Sequence, residues 1–284
     1  MSILDGRQVK IQILKELKEK LLKLNESIGL VVIQIGDDAA SSVYVRQKNK
    51  MATDLNYKFQ HIKLPSNIKE DELLKIIENL NNDDAVDGIL VQMPIPKHLD
   101  ANKVQNSILS CKDVDGLTDI NAGMLVHNKD GLIPCTPMGI IDLLDHYNIP
   151  IEGKNVVIIG RSNLVGKPLA NLMTNKNATV TLCHSKTNNL PFYTNNADIL
   201  VASVGIPNFI TEDMVKPGAV IIDVGINRLP DGSLCGDVDF ASVKEKASYI
   251  TPVPGGVGQM TVAELAVNTY KAHTLQKSLT KQGK

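Results

Sequence analysis

Tryptophan is absent from the 284 residues and aromatic side chains make up only 4% of them, so a core must rest on Ile, Leu and Val. An excess of either charge is lacking too: 30 Lys and Arg against 31 Asp and Glu leave a net charge of -1. That balance offers no global field for capturing nucleic acid, and no long basic run compensates. The apolar runs fall far short of the ~20 residues of a membrane span. The opening MSILDGRQVK contains no stretch resembling a signal peptide. Cys111, Cys135, Cys183 and Cys235 form no CxxC pair, and the six histidines are equally scattered. Neither a disulfide framework nor a metal site is expected, and a cytoplasmic location is the expectation that remains.

What the chain does contain is alternation. ILKELKEKLLKL, SSVYVRQKNKMATDL and EDELLKIIENLN have helical periods, with GLVVIQIG, YKFQHIKL and DGILVQMPIP reading as strands around them. After PCTPMGIIDLLDHYNI, a connecting helix, the series resumes with NVVIIG, VGKPLANLMTNK, ATVTLCHS, DILVASVG and AVIIDVGIN, and VAELAVNTYKAHTLQ closes it as a helix. Alternation of this kind predicts the α/β class: two α/β domains with parallel sheets, the second Rossmann-like. The first domain is expected over residues 1–140, completed by the C-terminal helix 261–284, and the second over 141–260. A hinge is expected near residues 136–152.

IIGRSNLVGKP follows a strand and opens a helix, where a dinucleotide-binding turn belongs. Gly160 suits the tight turn and Gly166 the close approach of helix and strand. Ser162 holds the middle position, where glycine is usual. Its small side chain still admits a phosphate, and its hydroxyl adds a donor. The next strand ends in TLCHSKT without the carboxylate that meets a free ribose 2′-hydroxyl. Ser185, with Arg161 or Lys186 for charge, suits a 2′-phosphate instead, which favours NADP over NAD. SVGIP and DVGIN each close an apolar strand with a glycine turn; alone, either is a routine turn.

Four further features carry candidate chemistry. In SSVYVRQKNK, helical spacing puts Tyr44 and Lys48 one turn apart on one face, with Arg46 and Lys50 pointing elsewhere. Most helical lysines are simply hydrated, so Lys48 stands out only in company. Gln92 is a polar residue at the end of an apolar strand and needs a polar partner. CKDVDGLTDIN offers Asp113 and Asp115; such pairs beside glycine are usually turn residues, but one carboxylate could accept two N–H bonds from an aminopyrimidinone edge. TPVPGGVGQMT brings Pro254, Gly255, Gly256, Val257 and Gly258 ahead of a helix, a backbone that suits close approach to a ligand and equally suits a structural turn.

In order along the chain, YVRQK, DGILVQMPIP, KDVDG, PCTPMG, GRSNLVGKP, CHSKT, DILVASVG, DVGIN, GDVDF and ITPVPGGVG resemble the bifunctional methylenetetrahydrofolate dehydrogenase/methenyltetrahydrofolate cyclohydrolase family over nearly the whole length. The resemblance implies oxidation of 5,10-methylenetetrahydrofolate with NADP, hydrolysis of the methenyl product to 10-formyltetrahydrofolate, and one active-site cleft between the domains. It implies Lys48 as the catalytic lysine, Tyr44 its partner and Gln92 the amide that positions it. Asp115, Ser41 and residues 254–258 would bind folate. Gly160, Arg161, Ser162, Ser185, Gly205 and Ile226 would bind NADP. A cytoplasmic homodimer serving one-carbon metabolism and purine biosynthesis is also implied, with no nucleic-acid or membrane partner. Gln259 departs from the family's usual proline, which frees φ at that position. The alternatives are an NADP-dependent dehydrogenase of another small substrate, of shikimate type, and a nucleotide-binding protein with a silent pocket.

Overall fold

The computed structural model describes residues 1–24 and 26–282. In chain order the first elements are β1 (Ser2–Ile3), α1 (Gly6–Leu24), β2 (Gly29–Ile35), α2 (Ala39–Asp54), β3 (Lys58–Leu64), α3 (Glu70–Asn81), β4 (Gly88–Val91), α4 (Ala101–Asn106), α5 (Asp119–Val126) and α6 (Cys135–His146). There follow β5 (Asn155–Ile159), α7 (Gly166–Asn175), β6 (Thr179–Cys183), α8 (Leu190–Thr194), β7 (Ile199–Ala202), β8 (Val220–Asp223), β9 (Asn227–Arg228), β10 (Leu234–Cys235), α9 (Phe240–Val243), β11 (Tyr249–Ile250) and α10 (Val257–Gln282). The chain divides into two compact units, Ile13–Cys135 with Val262–Lys284, and Met1–Gln12 with Thr136–Thr261.

The first unit is built on a parallel sheet of order β3-β2-β4. Every residue of the central strand β2 is buried, and its side chains alternate between two cores. Leu30 and Val32 join Val45 and Met51 of α2 and Leu265 of α10. Val31, Ile33 and Ile35 join Leu73 and Ile77 of α3 and Val104 of α4. The period of two and cover on both faces explain why GLVVIQI reads as a continuous apolar run. Each such side chain contributes about 2 kcal/mol of burial.

The second unit carries six parallel strands in the order β1-β11-β8-β7-β5-β6. From β5 the chain goes to β6 on one side and then crosses to β7 on the other. That reversal is a topological switch point, and the crevice beyond the carboxyl ends of β5 and β7 is where open α/β sheets take ligands. Met1–Gln12 belongs to this unit, where the sequence suggested the other. The reason is local: Ser2 and Ile3 pair with Tyr249 and Ile250, and Gly6 donates to the Gly255 carbonyl at 3.0 Å. A Cβ on Gly6 would stand 2.2 Å from the Gly256 oxygen, so only glycine fits. Two residues of strand leave no period to read in a sequence.

Candidate active site

Lys48 differs from its neighbours. On α2, Arg46 and Lys50 are exposed, whereas Lys48 is only 8% exposed. Its Nζ donates to Gln92 Oε1 at 2.8 Å. Gln92 follows β4 directly, and its backbone N–H continues the sheet by donating to the Ile33 carbonyl. The Gln92 NH2 donates to the Met93 carbonyl at 2.8 Å, which leaves the amide oxygen turned to the lysine. A neutral acceptor suits both protonation states of an amine, because each still has a hydrogen to donate. Burial pushes the Lys48 pKa below its ordinary value, and the charge of Asp115 and the Cys135 sulfur pull it partly back. Tyr44, one turn earlier, is half-buried. Ser41 stands at the start of the helix, its N–H held by the Asp38 carboxylate at 2.7 Å and its hydroxyl 3.5 Å from the Met93 carbonyl.

The two aspartates of KDVDG separate cleanly. Asp113 is fully buried and accepts from Gly116 N–H, Thr118 N–H, Gln105 Nε2 and Asn121 Nδ2 at 2.8–3.1 Å. Four donors saturate that carboxylate, which shapes the turn. Asp115 is half-buried and sits in the field of Lys48. Burial raises its pKa; Lys48 lowers it again, and the nearby Asp113 charge raises it. Sequence reading left the choice between the pair to family resemblance; in the structure their hydrogen bonds differ, Asp113 being the saturated one.

Three supporting residues escaped the sequence reading. Cys135, 2% exposed, donates its thiol to the Val114 carbonyl at 3.3 Å and lies beside Asp115. Asn268 on α10 donates to the Val114 and Ile133 carbonyls at 3.0 and 2.7 Å, tying both loops to that helix. An asparagine on the apolar face of VAELAVNTY was the available signal, since a buried amide must have partners. Glu264, one turn earlier and 2% exposed, adds its charge near Cys135.

The residues expected to hold a dinucleotide lie along one edge of the six-stranded sheet. Gly160, Arg161 and Ser162 follow β5, Ser185 follows β6, Gly205 follows β7 and Ile226 follows β8. Gly160 has φ +116°, and a Cβ there would meet the Ser203 carbonyl oxygen at 2.0 Å. A Cβ on Gly166 would meet the Gly160 oxygen at 1.9 Å, so α7 can only start this close to β5 through glycine. Ser162 is exposed and accepts from Val165 N–H at 3.1 Å, leaving its hydroxyl proton to donate outward. Arg161, Ser185 and Lys186 are exposed as well, and no carboxylate follows β6 before Thr187. An exposed hydroxyl, an arginine and the start of a ten-residue helix fit a phosphate-bearing cofactor.

Residues 254–258 follow β11, within the unit of the six-stranded sheet. Gly255 has φ +119°, and Gly258 lies beside Ile226, whose Cδ1 would be 3.3 Å from an added Cβ. Gln259 donates its N–H to the Gly256 carbonyl at 3.1 Å, a bond proline cannot make.

Two family models match the chain. Residues 4–115 match the tetrahydrofolate dehydrogenase/cyclohydrolase catalytic domain, and residues 134–277 match the NAD(P)-binding domain of the same family. The bifunctional protein FolD of Wolinella succinogenes is 53% identical over 277 residues, 96% of each chain. The crystal structure of the bifunctional FolD methylenetetrahydrofolate dehydrogenase/cyclohydrolase from Campylobacter jejuni superposes with a TM-score of 0.95 at 47% identity, over 97% of this chain and 99% of that one. The Trypanosoma brucei methylenetetrahydrofolate dehydrogenase-cyclohydrolase, complexed with NADP and an inhibitor, gives 0.92 at 35% identity, over 97% and 98%.

Proposed function

The chain belongs to the tetrahydrofolate dehydrogenase/cyclohydrolase family, and from that premise we propose how its own residues carry the two reactions. It oxidises 5,10-methylenetetrahydrofolate with NADP and hydrolyses the 5,10-methenyl product to 10-formyltetrahydrofolate. Bound NADP⁺ supplies the hydride acceptor for the first reaction. Arg161, Ser162 and the start of α7 hold its phosphates, with Ser185 near the 2′-phosphate and Gly205 and Ile226 along the ring.

The methenyl carbon is already electrophilic, so hydrolysis needs only proton management. Lys48, as the neutral amine, takes a proton from water as its oxygen bonds to that carbon. The resulting ammonium returns a proton to N5 as the carbon–N5 bond breaks, and the carbinol proton is released as the formyl C=O forms. Free lysine titrates near ~10.4, too high for this work at neutral pH. The observation that carries the proposal is the buried Lys48 amine held by a neutral amide at 2.8 Å, with its pKa lowered. Asp115, not saturated like Asp113, binds the aminopyrimidinone edge of the pterin. Tyr44 and Ser41 frame the lysine, and residues 254–258 border the folate.

The finer parts of the proposal are a homodimer in the cytoplasm and a formyl product that serves purine biosynthesis. Among the described residues no helix is long and apolar enough to cross a membrane. A spectroscopic assay with methylenetetrahydrofolate tests the whole reading, following both formation and decay of the methenyl chromophore. Turnover with NADP⁺ well above that with NAD⁺ is expected. A chromophore that forms but decays no faster than in buffer would remove Lys48 from the hydrolytic role.

A further inference from the structure

We propose that Asp237 is a positioning residue for NADP, its buried carboxylate setting the backbone of the loops after β7 and β8. The inference rests on the reading that this edge of the six-stranded sheet holds the cofactor. Asp237 is fully buried and accepts three consecutive backbone N–H groups, from Val204 at 2.6 Å, Gly205 at 3.0 Å and Ile206 at 3.1 Å. A strand turns successive amides to opposite sides, so this loop is wound around the carboxylate instead. In a trans peptide the carbonyl points opposite to the following N–H. The Val204 and Gly205 carbonyls therefore turn away from Asp237, presenting acceptors beside the switch point. A ring carboxamide needs acceptors of that kind.

The same carboxylate reaches the chain that follows β8, accepting from Asn227 Nδ2 at the start of β9 at 2.9 Å. Asp237 is itself held: its N–H donates to Asp223 Oδ1 at 2.9 Å, and Asp223 also accepts from Gly225 and Val238 N–H at 2.9 Å. Glycines make room for both acids. A Cβ at Gly225 would stand 2.2 Å from Asp237 Oδ1, and one at Gly236 would stand 1.8 Å from Asp223 Oδ2. The glycine of DVGIN and the first aspartate of GDVDF are thus two halves of one device.

The test is Asp237→Asn, which keeps shape but turns an NH2 toward backbone donors. Calorimetric titration with NADP⁺ should show Kd raised about tenfold or more, the scale of a lost charge-assisted bond. Oxidation should fall mainly through KM for NADP⁺, with hydrolysis of supplied methenyltetrahydrofolate, assayed without dinucleotide, within about twofold of wild type. A folded variant with unchanged Kd overturns the proposal. So does a parallel fall of both activities and of Tm with NADP⁺ binding intact, which is what a merely structural residue would give. If Asp237→Asn does not fold, Asn227→Ala removes a single donor and should raise Kd about threefold; no change there overturns it equally. A wild-type chain that binds no NADP⁺ would defeat the functional reading together with this one. Normal wild-type binding with unaltered variants would defeat this one alone.

Discussion

The Lys48 cluster and the dinucleotide edge solve opposite problems. Around Lys48 the working atoms are side chains, buried, with pKa values moved by desolvation and by each other's charge. Along the six-stranded edge they are backbone groups and exposed polar tips, arranged by glycines that allow approaches of about 2 Å to a would-be Cβ. Moving a proton at neutral pH requires a group taken out of water; holding a phosphate requires donors left open to it. The Lys48 cluster is therefore sensitive to charge and the glycine turn after β5 to steric bulk.

Lys48→Met should break the comparison most severely. Methenyl hydrolysis should fall about 10³-fold, within the range of lost general acid–base catalysis. Calorimetric NADP⁺ affinity should stay the same. The variant should also melt no lower than wild type. A lysine whose folded pKa is lowered binds fewer protons folded than unfolded, so its stability cost is present below the folded pKa and vanishes as pH rises above the unfolded one. Met removes that cost at neutral pH.

Gly166→Ala attacks the other side. With a Cβ 1.9 Å from the Gly160 oxygen, α7 must shift, at a cost of about 1–3 kcal/mol. NADP⁺-dependent oxidation should drop about 100-fold while hydrolysis of supplied methenyl substrate survives. Equal loss of both activities would show that the two regions are not separable.

Gln92→Glu should have a smaller, pH-dependent effect. A carboxylate in place of the amide 2.8 Å from Nζ favours the ammonium, so the Lys48 pKa rises. Hydrolysis near pH 7 should fall about tenfold and recover as pH rises, the rising limb of the profile moving to higher pH. A limb that stays in place would separate Gln92 from the lysine's titration.

Gln259→Pro should do least. It forfeits the N–H bond to the Gly256 carbonyl but restricts the unfolded chain, and the two nearly cancel, leaving a change within about 1 kcal/mol by chemical denaturation. A larger loss would mean that this bond, absent from the family's usual proline version, holds the 254–258 loop.

Much of this was legible in the chain. EDELLKIIENLN is α3 to the residue, because its apolar positions fall at helical spacing over three turns. The phase of α2 already set Lys48 apart from Arg46 and Lys50, since helical geometry alone decides which side chains share a face. Other features had no local sign. Asp113 and Asp115 are chemically identical in sequence, and Asp237 reads as one more acidic loop residue.

Period, glycine placement and the absence of a carboxylate after β6 depend on nearest neighbours, so the sequence alone determined the α/β alternation and the glycine turn after β5, and pointed to NADP as the cofactor. Strand order, the seating of Met1–Gln12 beside β11 and the division of labour among the buried aspartates depend on residues far apart in the chain meeting in space. Only the tertiary structure decided those, because burial and the count of donors around a carboxylate are properties of packing, which no local window of sequence contains.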